Sequence, residues 1–297
     1  MSVFSSILIE TDELLRQLHN PQVRIVDMRG YVRTTPIEDG VDNSSYTGAE
    51  EEYLQDHIPG AIYLDWTKDI VDLNNLVPAQ LADPAKFKSI MEQYGISDDT
   101  FVVAYDAHPA MQFATRLWWA LNYFGHTNTG VLNGGFGKWR RENKPVSADI
   151  PKFPSGSFTP NIQPALNTTV EDVLNFTRRA SNSGVTLIDA RDEDQYYNRK
   201  RRSHGRGGHI PGAISFPREK LIHPENGTFL PPDALRKEFT ESGIQTDDSS
   251  TRLVAYCNGG VAATSVLFAL QLIGATNYAN YDGSWNEWGS RKDLPVE

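Results

Sequence analysis

Short apolar runs alternate with amphipathic stretches along the whole chain. Residues 23–28 (VRIVDM), 101–105 (FVVAY) and 130–133 (GVLN) are brief, apolar and bounded by polar or glycine residues, and predict strands. Residues 10–18, 79–95 and 113–125 carry apolar positions at helical spacing and predict helices. The second half follows the same rhythm. Strands are predicted at 186–190, 252–256 and 276–281, and helices at 170–180, 233–243 and 263–274. Apolar strands separated by amphipathic helices imply an α/β fold whose parallel sheet is covered on both faces. Ligands of such sheets sit beyond the strand carboxyl ends.

The pattern occurs twice. Val23-Arg-Ile-Val-Asp27-Met-Arg29 is echoed by Thr186-Leu-Ile-Asp189-Ala-Arg191. His57-Ile-Pro-Gly-Ala-Ile62 returns as His209-Ile-Pro-Gly-Ala-Ile214, and Phe101–Tyr105 returns as Arg252–Tyr256. Asn133-Gly-Gly-Phe-Gly-Lys-Trp139 matches Asp282-Gly-Ser-Trp-Asn-Glu-Trp288. Four blocks in one order, offset by 162, 152, 151 and 149 residues, mark a duplicated domain rather than a solenoid. The expected division is 1–148, a linker at 149–163, and 164–297. The linker is proline-rich and has no apolar period.

Charge and cysteine content narrow the chemistry. The formal net charge is −10, and the acidic balance argues against nucleic acid as a partner. No apolar run is long enough for a membrane span, and the first residues lack the features of a signal peptide. The expected compartment is therefore the cytoplasm, and the chain is expected to act as a monomer. There is one cysteine, Cys257. It excludes an intrachain disulfide and any multi-cysteine metal cluster. No metal or organic cofactor is expected.

Cys257 directly follows a predicted strand. The segment Cys257-Asn258-Gly259-Gly260-Val261-Ala262-Ala263 leads into a helix. Gly259 and Gly260 free the backbone for positive φ. Successive N–H groups can then form an anion-binding nest, reinforced by the helix N-terminus. Such a setting favours a thiolate and stabilises an anion carried on its sulfur. A lone cysteine after a strand is also a common core residue. Its position favours chemistry: the equivalent residue of the first half is Asp106, so one copy reads as active and the other as silent. His57 and His209 open repeated structural turns. Asp27 and Asp189 are expected to satisfy loop N–H groups or a nearby arginine.

These residues resemble the tandem rhodanese-type sulfurtransferases, which include thiosulfate and 3-mercaptopyruvate sulfurtransferases. Gly208-His-Ile-Pro-Gly-Ala, Phe113-Ala-Thr-Arg-Leu-Trp-Trp-Ala-Leu, the Cys257 loop and Tyr281-Asp-Gly-Ser-Trp-Asn-Glu-Trp288 carry the resemblance over nearly the whole chain. It implies two rhodanese-like domains and double displacement. Cys257 takes the outer sulfur of a small anionic donor as a persulfide, then passes it to a thiophilic acceptor such as cyanide or a thiol. It also implies that Arg191 binds substrate. Arg199, Arg202 and Arg206, in the basic run 198–206, are further candidates for attracting the donor, weighed against a solvated loop.

The donor is read from what is missing. The mercaptopyruvate-type loop carries a serine where Gly259 stands, and the aspartate and histidine linked with that serine map onto Thr67 and Asn75. A group to handle the proton of a carbon leaving group is therefore absent, which favours thiosulfate over 3-mercaptopyruvate. A non-turnover sulfur carrier or sensing module of the same fold is an alternative. A cysteine phosphatase is disfavoured, because Val261-Ala-Ala-Thr264 offers no arginine to clamp phosphate.

Overall fold

The computed structural model describes residues 3–178, 184–203 and 205–297. The first half runs β1 (Leu8–Ile9), α1 (Thr11–Gln17), β2 (Val23–Asp27), β3 (Gly30–Glu38), β4 (Val41–Gly48), α2 (Glu50–Gln55), β5 (Ile62–Tyr63), α3 (Pro84–Gln93), β6 (Phe101–Tyr105), α4 (Gln112–Tyr123), β7 (Thr129–Leu132) and α5 (Gly135–Arg141). The second half runs α6 (Val170–Arg178), β8 (Val185–Asp189), α7 (Glu193–Tyr196), β9 (Arg201–Arg202), β10 (Ile214–Ser215), α8 (Pro232–Glu241), β11 (Arg252–Tyr256), α9 (Ala263–Leu272), β12 (Tyr278–Asn280) and α10 (Ser284–Trp288). Residues 179 and 180, the end of the helix expected at 170–180, lie outside the described residues.

Each half builds a parallel sheet, in the orders β1-β7-β6-β2-β5 and β10-β8-β11-β12. The central strands β2 and β6 are buried throughout, as apolar strands covered on both faces must be. The fold is thus α/β, with two domains in tandem whose central strands follow the same order. The segment 149–163 has no helix or strand and lies along the first domain. Gly156 N donates to Glu92 O and Asn161 N to Phe124 O, both at 2.8 Å. Phe158 is buried.

The two halves meet through equivalent helices. Trp118 of α4 stacks edge-on against Phe268 of α9 at 5.0 Å, and Thr115 Oγ1 bonds Thr264 Oγ1 at 3.0 Å. One continuous apolar core runs across this contact. Both Cys257 and Asp106, at the carboxyl ends of β11 and β6, therefore face the same interdomain region.

Two features depart from the sequence reading. The helix expected over 79–95 starts only at Pro84. Asp83 caps it by accepting from Ala85 N and Lys86 N, and proline at the first position favours that start. The larger departure is a long hairpin, β3–β4, whose second strand pairs in parallel with β9 of the other domain. Most of its residues are polar and the few apolar ones do not alternate regularly, so they leave no period-2 signal.

Candidate active site

Cys257 sits one residue beyond β11 with 3 % of its surface exposed. The tight loop behind it ends at α9, whose N-terminus has no side-chain cap. Among the described residues, none of the backbone N–H groups of residues 258–263 has a hydrogen-bond partner. Unpaired N–H groups around a thiol are suited to an anion. The loop is fixed from behind. Cys257 N donates to Ser284 Oγ at 3.1 Å, Trp285 N donates to Cys257 O at 3.0 Å, and Asn286 N donates to Asn258 O at 2.7 Å. Of the two loop glycines only Gly260 has positive φ, +70°. A Cβ there would lie 2.5 Å from Asp282 Oδ1, so the turn demands glycine. The expectation that both glycines supply positive φ holds for one.

The silent half shows what such a loop holds. Asp106 is fully buried, and its carboxylate accepts from His108 N (2.8 Å), Phe113 N (2.8 Å) and Ala114 N (2.9 Å). Allowing for a second-half loop two residues shorter, the counterpart N–H groups belong to Gly259, Ala262 and Ala263. The loop whose N–H groups grip an oxygen acceptor in one half follows a cysteine in the other, with the counterpart N–H groups unpaired among the described residues. Burial outweighs these N–H donors and pushes the Asp106 carboxyl up to about 7. An unfolded aspartate titrates near 3.9. The folded state therefore holds a proton that the unfolded chain lacks between about pH 4 and 7, and this group makes stability fall as pH rises across that window. Asp106→Asn should remove that slope, worth up to about 4 kcal/mol. Urea unfolding of both proteins at the two ends of the window tests this. Parallel pH profiles would contradict it.

Cys257 opens on an interdomain cavity of about 320 Å³. The second half contributes Arg191, Asp192, Gln195, Lys200, Arg202, Arg218 and the residues of the Cys257 loop except Gly260 and Ala263. The first half contributes Tyr46, Trp66, His108 and Gln112, among others. Four cationic side chains face two acidic ones, Asp42 and Asp192, in a protein of net charge −10. The cavity thus opposes the sign of the whole chain and suits a small anion. Among the described residues no cluster of three or more His, Cys, Asp or Glu is arranged to hold a metal ion.

The individual arginines divide by role. Arg191 lines the cavity but is committed elsewhere. Its Nε and Nη2 bond Asp189, its Nη2 also donates to Gly208 O at 2.8 Å, and it lies over Trp285. Arg29 and Asp27 make the equivalent pair in the half that has no thiol, and Tyr105 and Tyr256 donate to the two aspartates at 2.7 Å. A pair present in both halves has a folding role, and Arg191 is in addition part of the cavity wall. Arg206 is placed away from the cavity. Its guanidinium ties the carbonyls of Trp288, Gly289, Arg291 and Leu294, and its candidacy as a substrate contact is withdrawn. Arg199 is exposed, pairs with Asp194 and lies outside the cavity wall, so it is withdrawn too. Arg202 stays. It is partly buried in the wall, bonds Ser44 Oγ of the hairpin and has no carboxylate partner among the described residues. Burial pushes its pKa down, as for a cation lacking full compensation. Residue 204 of the basic run lies outside the described residues.

His57 and His209 are structural. Each bonds a backbone carbonyl through Nδ1 and stacks on a tyrosine. Thr67 bonds Asp65, and neither Thr67 nor Asn75 reaches the Cys257 cavity. The sequence reading missed Arg218, Tyr46, Trp66 and Gln112. The repeat held a signal for two of them: at the offset of the His-Ile-Pro-Gly-Ala-Ile blocks, Trp66 and Arg218 are equivalent positions, one per half, on one cavity wall.

Comparison with known proteins places this geometry. The Rhodanese-like domain profile matches residues 10–142 and again 174–291. The chain belongs to the rhodanese family, as a tandem-domain sulfurtransferase. It is 30 % identical over 291 residues to the 3-mercaptopyruvate sulfurtransferase of Escherichia coli, covering 97 % of each chain. It is 32 % identical over 257 residues to a putative thiosulfate sulfurtransferase of Haloferax volcanii, covering 83 % of this chain and 85 % of that one. The sulfur transferase subunit found sub-stoichiometrically with yeast mitochondrial complex I superposes with a TM-score of 0.82 at 29 % identity, over 98 % of this chain and 100 % of that one. Relatives at similar identity carry different donor names, so the family fixes sulfur transfer and leaves the donor to the site.

Proposed function

We propose that the chain transfers the outer sulfur of thiosulfate to a thiophilic acceptor through a persulfide on Cys257. The observation that carries this reading is the single thiol at the cavity wall, backed by unpaired N–H groups and faced by cationic side chains. The anionic donor is drawn in by Arg202, Arg218 and Lys200. The Cys257 thiolate attacks the sulfane sulfur, the S–S bond breaks, and its electron pair leaves with sulfite. The persulfide anion stays among the N–H groups of residues 258–263, which need no rearrangement to receive it. An external acceptor, cyanide or a thiol, then attacks the outer sulfur and returns Cys257 as thiolate. With one cysteine in the chain, no internal disulfide can discharge the persulfide.

Thiosulfate is preferred over 3-mercaptopyruvate because sulfite leaves without needing a proton, whereas a carbon leaving group must be protonated. Gly259 carries no hydroxyl, and Thr67 and Asn75 lie outside the cavity. Steady-state kinetics with the two donors and one acceptor test this. The kcat/KM for thiosulfate should exceed that for 3-mercaptopyruvate by about tenfold or more, a difference of about 1.4 kcal/mol in transition-state binding. The reverse order would overturn the donor assignment and leave the sulfurtransferase class intact.

A further inference from the structure

Part of the wall around Cys257 comes from the loop that carries Asp106 at the equivalent position, and His108 stands in it. The residue is held firmly. His108 N donates to Asp106 Oδ1 at 2.8 Å, Met111 N donates to His108 O at 2.9 Å, and the ring meets Phe113 edge-on at 5.9 Å. Its Nδ1 accepts from Ala110 N at 3.1 Å. A ring nitrogen that accepts an N–H carries no hydrogen, so the neutral ring bears its hydrogen on Nε2. Nε2 has no hydrogen-bond partner among the described residues.

We propose that His108 is a catalytic hydrogen-bond donor whose Nε2–H binds an oxygen of the departing group while Cys257 takes the sulfur. Charge develops there and nowhere else in that half-reaction. As the S–S bond breaks, its electron pair moves onto sulfite, whose oxygens gain negative charge. A donor in the wall of the same cavity, with no other hydrogen-bond partner among the described residues, can stabilise that change. No proton is transferred, so atoms and charge balance with thiosulfate and thiolate alone. Burial, and then the nearby Arg218, push the imidazole down to about 4. The ring therefore stays neutral near pH 7 and acts by polarising, as a neutral imidazole can. Arg218 lines the same wall from the other domain, so the leaving group meets one neutral and one charged donor. In the second half-reaction the electron pair returns to the Cys257 sulfur, within its own nest, and His108 has no task. The two half-reactions thus separate its role from a structural one.

This inference rests on Cys257 being the nucleophile, and the experiment keeps the two apart. Sulfite release is followed after rapid mixing with thiosulfate alone, and discharge by cyanide is followed on protein already carrying sulfur. For His108→Phe, sulfite release should slow by about 100-fold while discharge is unchanged. His108→Gln, which keeps a side-chain N–H, should recover about tenfold of that loss. Wild-type sulfite release in His108→Phe, an equal fall in both half-reactions, or a glutamine variant no faster than phenylalanine would overturn the proposal. A wild-type protein that releases no sulfite and gains no sulfur from thiosulfate would overturn the thiosulfate reading beneath it, and a Cys257→Ser protein that still releases sulfite would overturn Cys257 as the nucleophile.

Discussion

Cys257→Ser should lower sulfur transfer from either donor by at least about 10³-fold while leaving the fold intact. Loss of a covalent nucleophile costs far more than loss of a supporting contact. A serine hydroxyl is hardly ionised near neutral pH and is a poor nucleophile toward sulfur. No second thiol exists to take over. Cys257 contributes its backbone N–H and carbonyl to the links with Ser284 and Trp285, and serine preserves both. Unfolding in urea should therefore change by no more than about 1 kcal/mol. Substantial residual turnover with a normal fold would place the chemistry elsewhere in the cavity.

The second large effect lies away from the thiol. Arg116 of α4 is 1 % exposed and ion-pairs with Asp282 of the other domain. It also donates to Gly260 O at 3.2 Å and to Ala79 O at 2.9 Å. Asp282 in turn accepts from Leu81 N at 3.0 Å. One buried guanidinium thus joins the silent domain to the turn of the Cys257 loop. Arg116→Met leaves Asp282 buried without its counter-charge, at a cost of about 3–5 kcal/mol. It also removes one of the two donors to the Gly260 carbonyl, leaving Asn280 Nδ2 at 3.0 Å, so activity should fall in protein that remains folded. The double variant Arg116→Met/Asp282→Leu removes both charges and should regain much of the stability. It should not regain full activity, since Gly260 O then keeps Asn280 Nδ2 but not the tie to the first domain. Equal stability losses in the single and double variants would show that packing, not the buried charge, dominates.

The sequence made the doubled α/β frame legible because its strands are apolar on both faces and its blocks return in order. Val23–Asp27 and Val185–Asp189 fall where the periodicity placed them. The Cys257 loop was legible for a local reason: strand, thiol, glycines and helix are consecutive. The cavity was not, because it is assembled across the domain contact. Tyr46, Trp66 and His108 come from the half that carries no thiol, and nothing in their neighbouring residues marks them. Arg191 is a mixed case: it lines the cavity, and it is also paired with Asp189. Its motif stood out because it recurs, yet recurrence in the silent half as Asp27 and Arg29 is what a shared folding role produces. Within the basic run only pairing geometry separates Arg202, on β9 in the cavity wall, from Arg206, bound to carbonyls near the C-terminus.

The most direct test of the persulfide on Cys257 is the intact mass of the protein after exposure to thiosulfate without an acceptor. The wild type should gain about 32 Da, one sulfur atom, and lose it on addition of cyanide or a thiol. Cys257→Ser should gain nothing. A sulfur adduct on the serine variant, or transfer by a wild type that never carries the added mass, would contradict the account. An adduct that forms but never turns over would retain Cys257 as the sulfur site and make the chain a carrier instead of a catalyst.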